Sequence, residues 1–159
     1  MSGCRPLSLP MPQHLKLTAY EEGKHRKEDL FAEPGKYRRL IGKLIYLTMT
    51  RPDISFPVQV LSQFMQLPMK CHWGAAMGVL RYLKQSPGLG IQLSSKGDLK
   101  LHCFCDSDWG SCETTRRSVT GYLLKLGDAL IIWKTKKQVT VSRSSAEAEY
   151  RALGSAVLK

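Results

Sequence analysis

The stretch Leu99-Lys-Leu-His-Cys-Phe-Cys-Asp-Ser-Asp-Trp-Gly110 decides how the chain is read. Seven mostly apolar residues run into two carboxylates and a glycine, the pattern of a β-strand entering a turn. Side chains alternate across a strand. Leu99, Leu101, Cys103 and Cys105 therefore share one face, where both thiols are expected as small buried groups, and His102, Phe104 and Asp106 share the other. Carboxylates at a strand end sit where the backbone diverges and side chains can converge on a cation. An Asp-rich turn is the plainer reading of an isolated Asp-x-Asp, and at this point both stay open.

Outward from this strand, Ile91 and Leu93 alternate with polar or glycine positions and suggest a shorter strand ahead of the turn residues Ser94–Asp98. Two further strands are expected at about 118–126 and 129–133, with Gly127-Asp128 turning between them. No helix separates these four, so they read as an antiparallel meander. Ser144-Ser-Ala-Glu147 then fits a capping box, and Ala148, Tyr150, Ala152, Leu153, Ala156 and Val157 continue a helix. Capping accounts for Glu147. Glu149 lies about 200° further round the helix axis and has no such local role. A strand-borne Asp106 and a helix-borne Glu149 could share Mg²⁺, although hard cations need several oxygen ligands and two carboxylates make only part of a site.

Toward the N-terminus the periodicity becomes helical. Tyr37, Leu40, Ile41, Leu44 and Leu47 form one stripe; Val58, Leu61 and Met65 form a second; Trp73, Ala76, Met77, Leu80 and Leu83 form a third. Arg51-Pro52, Pro68 and Ser86-Pro87-Gly88 end them in turn. Residues 1–35 hold Pro6, Pro10, Pro12 and Pro34 and read as an extended strap or linker. The expected fold is therefore α+β: a small helical unit over 36–88, then from 89 to 159 an antiparallel sheet carrying one helix.

The 159 residues carry 24 Lys+Arg against 13 Asp+Glu, a net charge of +11, with both halves positive. Such an excess points to an anionic partner, nucleic acid first, but solvated basic faces are common and charge alone leaves both readings open. Hydrophobic content of 43% and charged content of 23% exclude wholesale disorder and a collagen-like chain. The longest apolar runs, such as Ala129–Trp133, are too short to span a bilayer, and Met1–Leu17 does not read as a secretory signal. The expectation is an intracellular protein, cytoplasmic or nuclear, with no membrane partner. Five cysteines without zinc-finger spacing argue against a structural metal site or a disulfide framework.

Several segments, taken in order, resemble plant copia-type retrotransposon Pol polyproteins. They are Tyr37-Arg-Arg-Leu-Ile-Gly-Lys-Leu-Ile-Tyr-Leu47, Thr50-Arg-Pro-Asp-Ile54, His72-Trp73, Leu80-Arg-Tyr-Leu-Lys84 and Ser86-Pro-Gly88. The series continues with Asp106-Ser-Asp-Trp109, Arg117-Ser-Val-Thr-Gly-Tyr122, Trp133-Lys-Thr-Lys-Lys-Gln138 and Ser144-Ser-Ala-Glu-Ala-Glu-Tyr150. The resemblance implies that residues up to about 86 are the end of a reverse transcriptase module, its thumb or connection. Those from about 89 would open a ribonuclease H domain. It further implies that Asp106 and Glu149 are catalytic and metal-binding, for Mg²⁺ or Mn²⁺, with Asp108 supportive. The family uses two more carboxylates, expected beyond Lys159, and its paired palm aspartates upstream. The resemblance thus implies a fragment of an RNA–DNA hybrid nuclease without autonomous activity, or a non-catalytic basic remnant that binds nucleic acid or docks on an intact element-encoded polymerase. Lys134, Lys136, Lys137, Arg116 and Arg117 are the candidate phosphate contacts. The three lysines read equally well as strand-edge residues that block sheet pairing, and the arginines as partners of Asp108 or Glu113.

Overall fold

The computed structural model describes residues 3–13, 15–94 and 98–158, and the chain divides into two compact units, Met1–Leu89 and Gly90–Lys159. In the first, α1 (Pro34–Leu47) starts with proline at a position whose missing N–H costs nothing, and it buries Tyr37, Ile41 and Leu44. Short α2 (Ser55–Ser62) adds Pro57, Val58 and Leu61, and α3 (Lys70–Leu83) adds Ala76 and Val79 to the same core. The Tyr37 hydroxyl donates to the Leu61 carbonyl at 2.8 Å, and burial pushes this phenol well up. Residues ahead of α1 are more than a strap: Leu17 enters the core, the Leu7 amide donates to the Arg81 carbonyl, and a single 3-10 turn forms at Lys27–Asp29.

The turn after α1 is held by a charge. Arg51 is 3% exposed; its guanidinium grips Asp53 through Nε (3.0 Å to Oδ1) and Nη2 (2.7 Å to Oδ2). Its Nη1 donates to the Ser86 carbonyl at 2.9 Å, and the Tyr82 hydroxyl donates to Asp53 Oδ2 at 2.7 Å. One ion pair thereby fastens the α1–α2 turn to the end of α3.

The buried stripe of α3 is rotated from the one its apolar residues suggest. His72 is fully buried, while Trp73 is half-buried and stacks on Phe31 with ring centroids 4.6 Å apart. His72 fits because both ring nitrogens are satisfied. Nδ1 accepts the Met69 N–H at 2.9 Å, which leaves Nε2 as the donor to the Thr18 carbonyl at 3.0 Å, and the ring stacks on Phe64. Burial holds this imidazole below its ordinary value, against the Thr18 carbonyl and with help from His25. The unfolded chain takes up the proton below about pH 6.5 and the folded chain resists it, so stability falls on acidification. The melting midpoint is expected to be lower at pH 5 than at pH 7.5, and that difference should shrink in His72→Gln.

The second unit is a sheet of order β1-β2-β3, antiparallel throughout: β1 (Leu101–Asp108), β2 (Val119–Leu126) and β3 (Ala129–Lys137). Gly127 opens the two-residue β2–β3 turn at φ +56°, and a Cβ there would come within 2.5 Å of the Asp98 carbonyl oxygen, so only glycine fits. The meander matches expectation; its limits do not. The described residues form three strands, because Ile91–Leu93 has no neighbouring strand to bond and is irregular. Residues 95–97 of the expected turn lie outside the described residues. β1 runs on through Asp106 and Asp108, and β3 through Lys134, Lys136 and Lys137, so these side chains stand within strands rather than after them.

α4 (Ser145–Val157) crosses one face of the sheet and buries the small residues Ala148, Ala152 and Ala156, the last packed with Tyr122 and Leu124. It lies mainly over β1. Only the Cys105 end of the expected thiol face is covered; Cys103 and Leu101 are exposed because the helix does not reach the start of the strand. The Ser144 hydroxyl accepts the Glu147 N–H at 3.2 Å, as a cap should, but Glu147 reaches back one residue further, to the Arg143 N–H at 2.7 Å. Among the described residues no helix is long and apolar enough to cross a membrane.

Candidate functional site

In the second unit, Asp106 pairs in register with Gly121, whose missing side chain leaves the sheet surface beside the carboxylate open. By strand alternation Asp106 is on the face opposite α4, while Ser107 is on the helix side. β1 is an edge strand of the described sheet, and Glu149 stands on the helix that crosses it. The two carboxylates therefore flank the open edge of β1, one from each side. Both are exposed, and both reach the Cys105 thiol electrostatically. That thiol is pushed up by burial first, then by Cys103, Glu149 and Asp106.

Two ties fix the end of β1 to the start of α4. The two N–H groups of the Gln138 side-chain amide are shared among three acceptors, Ser107 Oγ (3.2 Å), Thr120 Oγ1 (3.0 Å) and the Ala148 carbonyl (3.0 Å), and its Oε1 accepts from Ser142 Oγ (2.9 Å). Ser107 adjoins Asp106 and Ala148 adjoins Glu149, so one amide links the hydroxyl of the residue beside the first carboxylate to the backbone of the residue beside the second. Trp109 Nε1 donates to the Ser142 carbonyl at 3.0 Å and ties the turn after Asp108 to the residues just ahead of the helix. Asp108 is exposed at the last strand position, opposite Val119.

The basic candidates fall into separate places. Lys134 and Lys136 pair in register with Tyr122 and Thr120 and share the α4 side of the sheet. Lys137 pairs with Val119, and its ammonium donates to Cys112 Sγ at 3.6 Å. Burial raises that thiol, but hydrogen bonds from Thr115 together with Lys137 outweigh it and hold Cys112 below its usual value. Arg116 sits at φ +54°, its guanidinium against Gly110, and the Arg117 carbonyl accepts the Cys112 N–H. Gln138 and Trp109 stood in the sequence motifs without an assigned role, and Arg151 was not among the candidates. Only the unbroken run Trp133–Gln138, with a polar amide closing a strand, could have pointed to the first.

Asp106 and Glu149 offer hard oxygen donors of the kind Mg²⁺ and Mn²⁺ take while keeping several waters. Among the described residues no group of three or more His, Cys, Asp or Glu side chains is arranged to hold a metal ion. The donor chemistry fits such a cation, and the number of donors fits part of its shell.

Compared with known proteins, the chain is 42% identical, over 96% of its length, to an uncharacterized mitochondrial protein of Arabidopsis thaliana. It is 41% identical over the same share to the retrovirus-related Pol polyprotein from transposon RE2 of that plant. A secreted RxLR effector protein of Plasmopara viticola is 43% identical over 76% of the chain and 85% of its own length. Over nearly its whole length the chain is thus similar to a segment of retrovirus-related Pol polyproteins from plant transposons. It spans 61% of the mitochondrial relative and 10% of the Pol polyprotein. No family model matches it, and no solved structure matches it. For a Pol relative, the carboxylates about the β1 edge and the cations of β3 are the two features of the second unit with chemical potential.

Proposed function

We propose that this chain is the stretch of a copia-type Pol polyprotein where a reverse transcriptase module passes into a ribonuclease H-type domain. Residues 36–88 are thumb- or connection-like, and the second unit carries two carboxylates of a metal-dependent site for RNA–DNA hybrid. The observation that carries this reading is the pair Asp106 and Glu149, set about one strand edge and coupled by Gln138 in a Pol relative. Mg²⁺ or Mn²⁺ bound there would polarise the phosphodiester and lower the pKa of an attacking water. Asp106 and Glu149 would hold the ion, Asp108 would add negative potential beside it, and Arg116 and Arg117 would meet phosphates of the hybrid.

A second reading is a basic nucleic-acid-binding or polymerase-docking remnant. It is favoured by the +11 charge and by the presence of two candidate ligands rather than three among the described residues. Metal binding separates the two. Asp106→Asn and Glu149→Gln are each expected to weaken Mn²⁺ binding about tenfold, about 1.4 kcal/mol, since each removes one of two charged donors. Titration of the full chain followed by Mn²⁺ electron paramagnetic resonance reads this directly. Unchanged affinity in both variants leaves the remnant reading.

A further inference from the structure

α4 divides its face of the sheet. With about 100° per residue, the centre of the buried Ala148–Ala152–Ala156 stripe lies about 60° from Glu149 on one side and about 100° from Arg151 on the other. Glu149 is therefore turned toward β1 and Arg151 toward β3. On the β3 side the helix and strand leave a groove of about 570 Å³, floored by Thr120 and Tyr122 and bordered by Lys134, Lys136, Arg151 and Val139. No acidic side chain among the described residues lines it. Glu147 bonds the Arg151 guanidinium at 2.6 Å from outside the groove and leaves its other N–H donors available.

We infer that this groove binds a single nucleic-acid strand, with Lys134, Lys136 and Arg151 on its phosphates and the Tyr122–Val139 surface under its bases or sugars. The groove's volume matches one or two nucleotides of a strand lying along it. Cations from both the strand and the helix side, above a floor that includes the Tyr122 ring, match a strand, which carries a phosphate and a ring system in each unit. The inference rests on the nucleic-acid reading of the second unit but not on the carboxylate pair, from which α4 separates it. The groove would thus hold a strand outside the duplex that the acidic edge addresses.

The test is fluorescence anisotropy of the full chain with a labelled twelve-nucleotide single strand and with the matching RNA–DNA duplex, across a salt series. Lys134→Gln/Lys136→Gln is expected to weaken single-strand binding about tenfold at low salt. It should also flatten the log–log salt slope by about 1.4, since each phosphate contact on a single strand contributes about 0.7. The control Lys100→Gln/Lys125→Gln removes the same charge away from the groove and is expected to cost about twofold. Duplex binding should be little changed in either. Equal losses in the two doubles, an equal loss for duplex, or no single-strand binding by the parent chain would each overturn the inference. Mn²⁺ titration of the same variants keeps the two proposals apart: loss of groove binding with Mn²⁺ binding retained leaves the carboxylate reading standing, and the reverse result leaves the groove.

Discussion

Gln138→Leu is expected to cost the second unit about 3 kcal/mol. The side chain has four hydrogen-bonding partners, with its two N–H groups shared among Ser107, Thr120 and the Ala148 carbonyl and its oxygen taking the Ser142 hydroxyl. Ser107, Thr120 and Ser142 are themselves buried. A net intramolecular bond contributes about 1 kcal/mol, and a buried hydroxyl left without a partner adds its desolvation cost. Leucine fills similar volume but satisfies none of these groups. Because the same amide links the neighbours of Asp106 and Glu149, the substitution is also expected to weaken Mn²⁺ binding in whatever fraction remains folded. Urea unfolding with hydrogen exchange read over residues 98–158 measures the first effect. A loss under about 1 kcal/mol would mean that Trp109 and the alanine stripe alone seat the helix.

The other large effect lies in the helical unit. Arg51→Leu is expected to destabilise it by about 3 kcal/mol, because breaking a buried ion pair leaves its partner charged and poorly solvated. Asp53 is 27% exposed, which keeps the cost toward the lower end of that range. Burial alone would raise the Asp53 carboxyl, yet Arg51 and Tyr82 outweigh it and hold the group below its usual value. That part of the stability is present at neutral pH and is lost as acid protonates the carboxylate, the ordinary sign for a depressed carboxyl. Arg51→Lys is expected to recover little: an ammonium keeps the charge but cannot hold both Asp53 oxygens and the Ser86 carbonyl in one plane. Denaturant midpoints of the two variants beside the parent chain check this; near-equal midpoints for Arg51→Lys and the parent would show that the fork is dispensable.

Apolar period was sufficient for α1, whose buried residues are the ones its spacing marks, and turn chemistry was sufficient for the β2–β3 hairpin at Gly127. It failed where burial is secured by hydrogen bonds. His72 is in the core because two backbone groups satisfy its ring, and a hydropathy pattern reads it as polar. Cys103 failed in the opposite sense: strand alternation gives its face, but only the position of α4 decides how far along that face cover extends. The acidic candidates were legible as a strand carboxylate and a helix carboxylate without a local task. Their coupling through Gln138 and the pairing of Lys134 and Lys136 with Tyr122 and Thr120 depend on strand register, which no local signal encodes. Arg151 was hidden by an ordinary role, an i, i+4 pair with Glu147.

The central claim is that Asp106 and Glu149 address one divalent cation across the open edge of β1. Nuclear magnetic resonance of the full chain during Mn²⁺ addition tests it most directly, since paramagnetic broadening falls off steeply with distance from the ion. The account predicts that amides around Asp106 and around Glu149 broaden together at the same low Mn²⁺ level, and that Asp106→Asn abolishes the effect at both. Broadening at one carboxylate without the other, or persistence around Glu149 in Asp106→Asn, would contradict it.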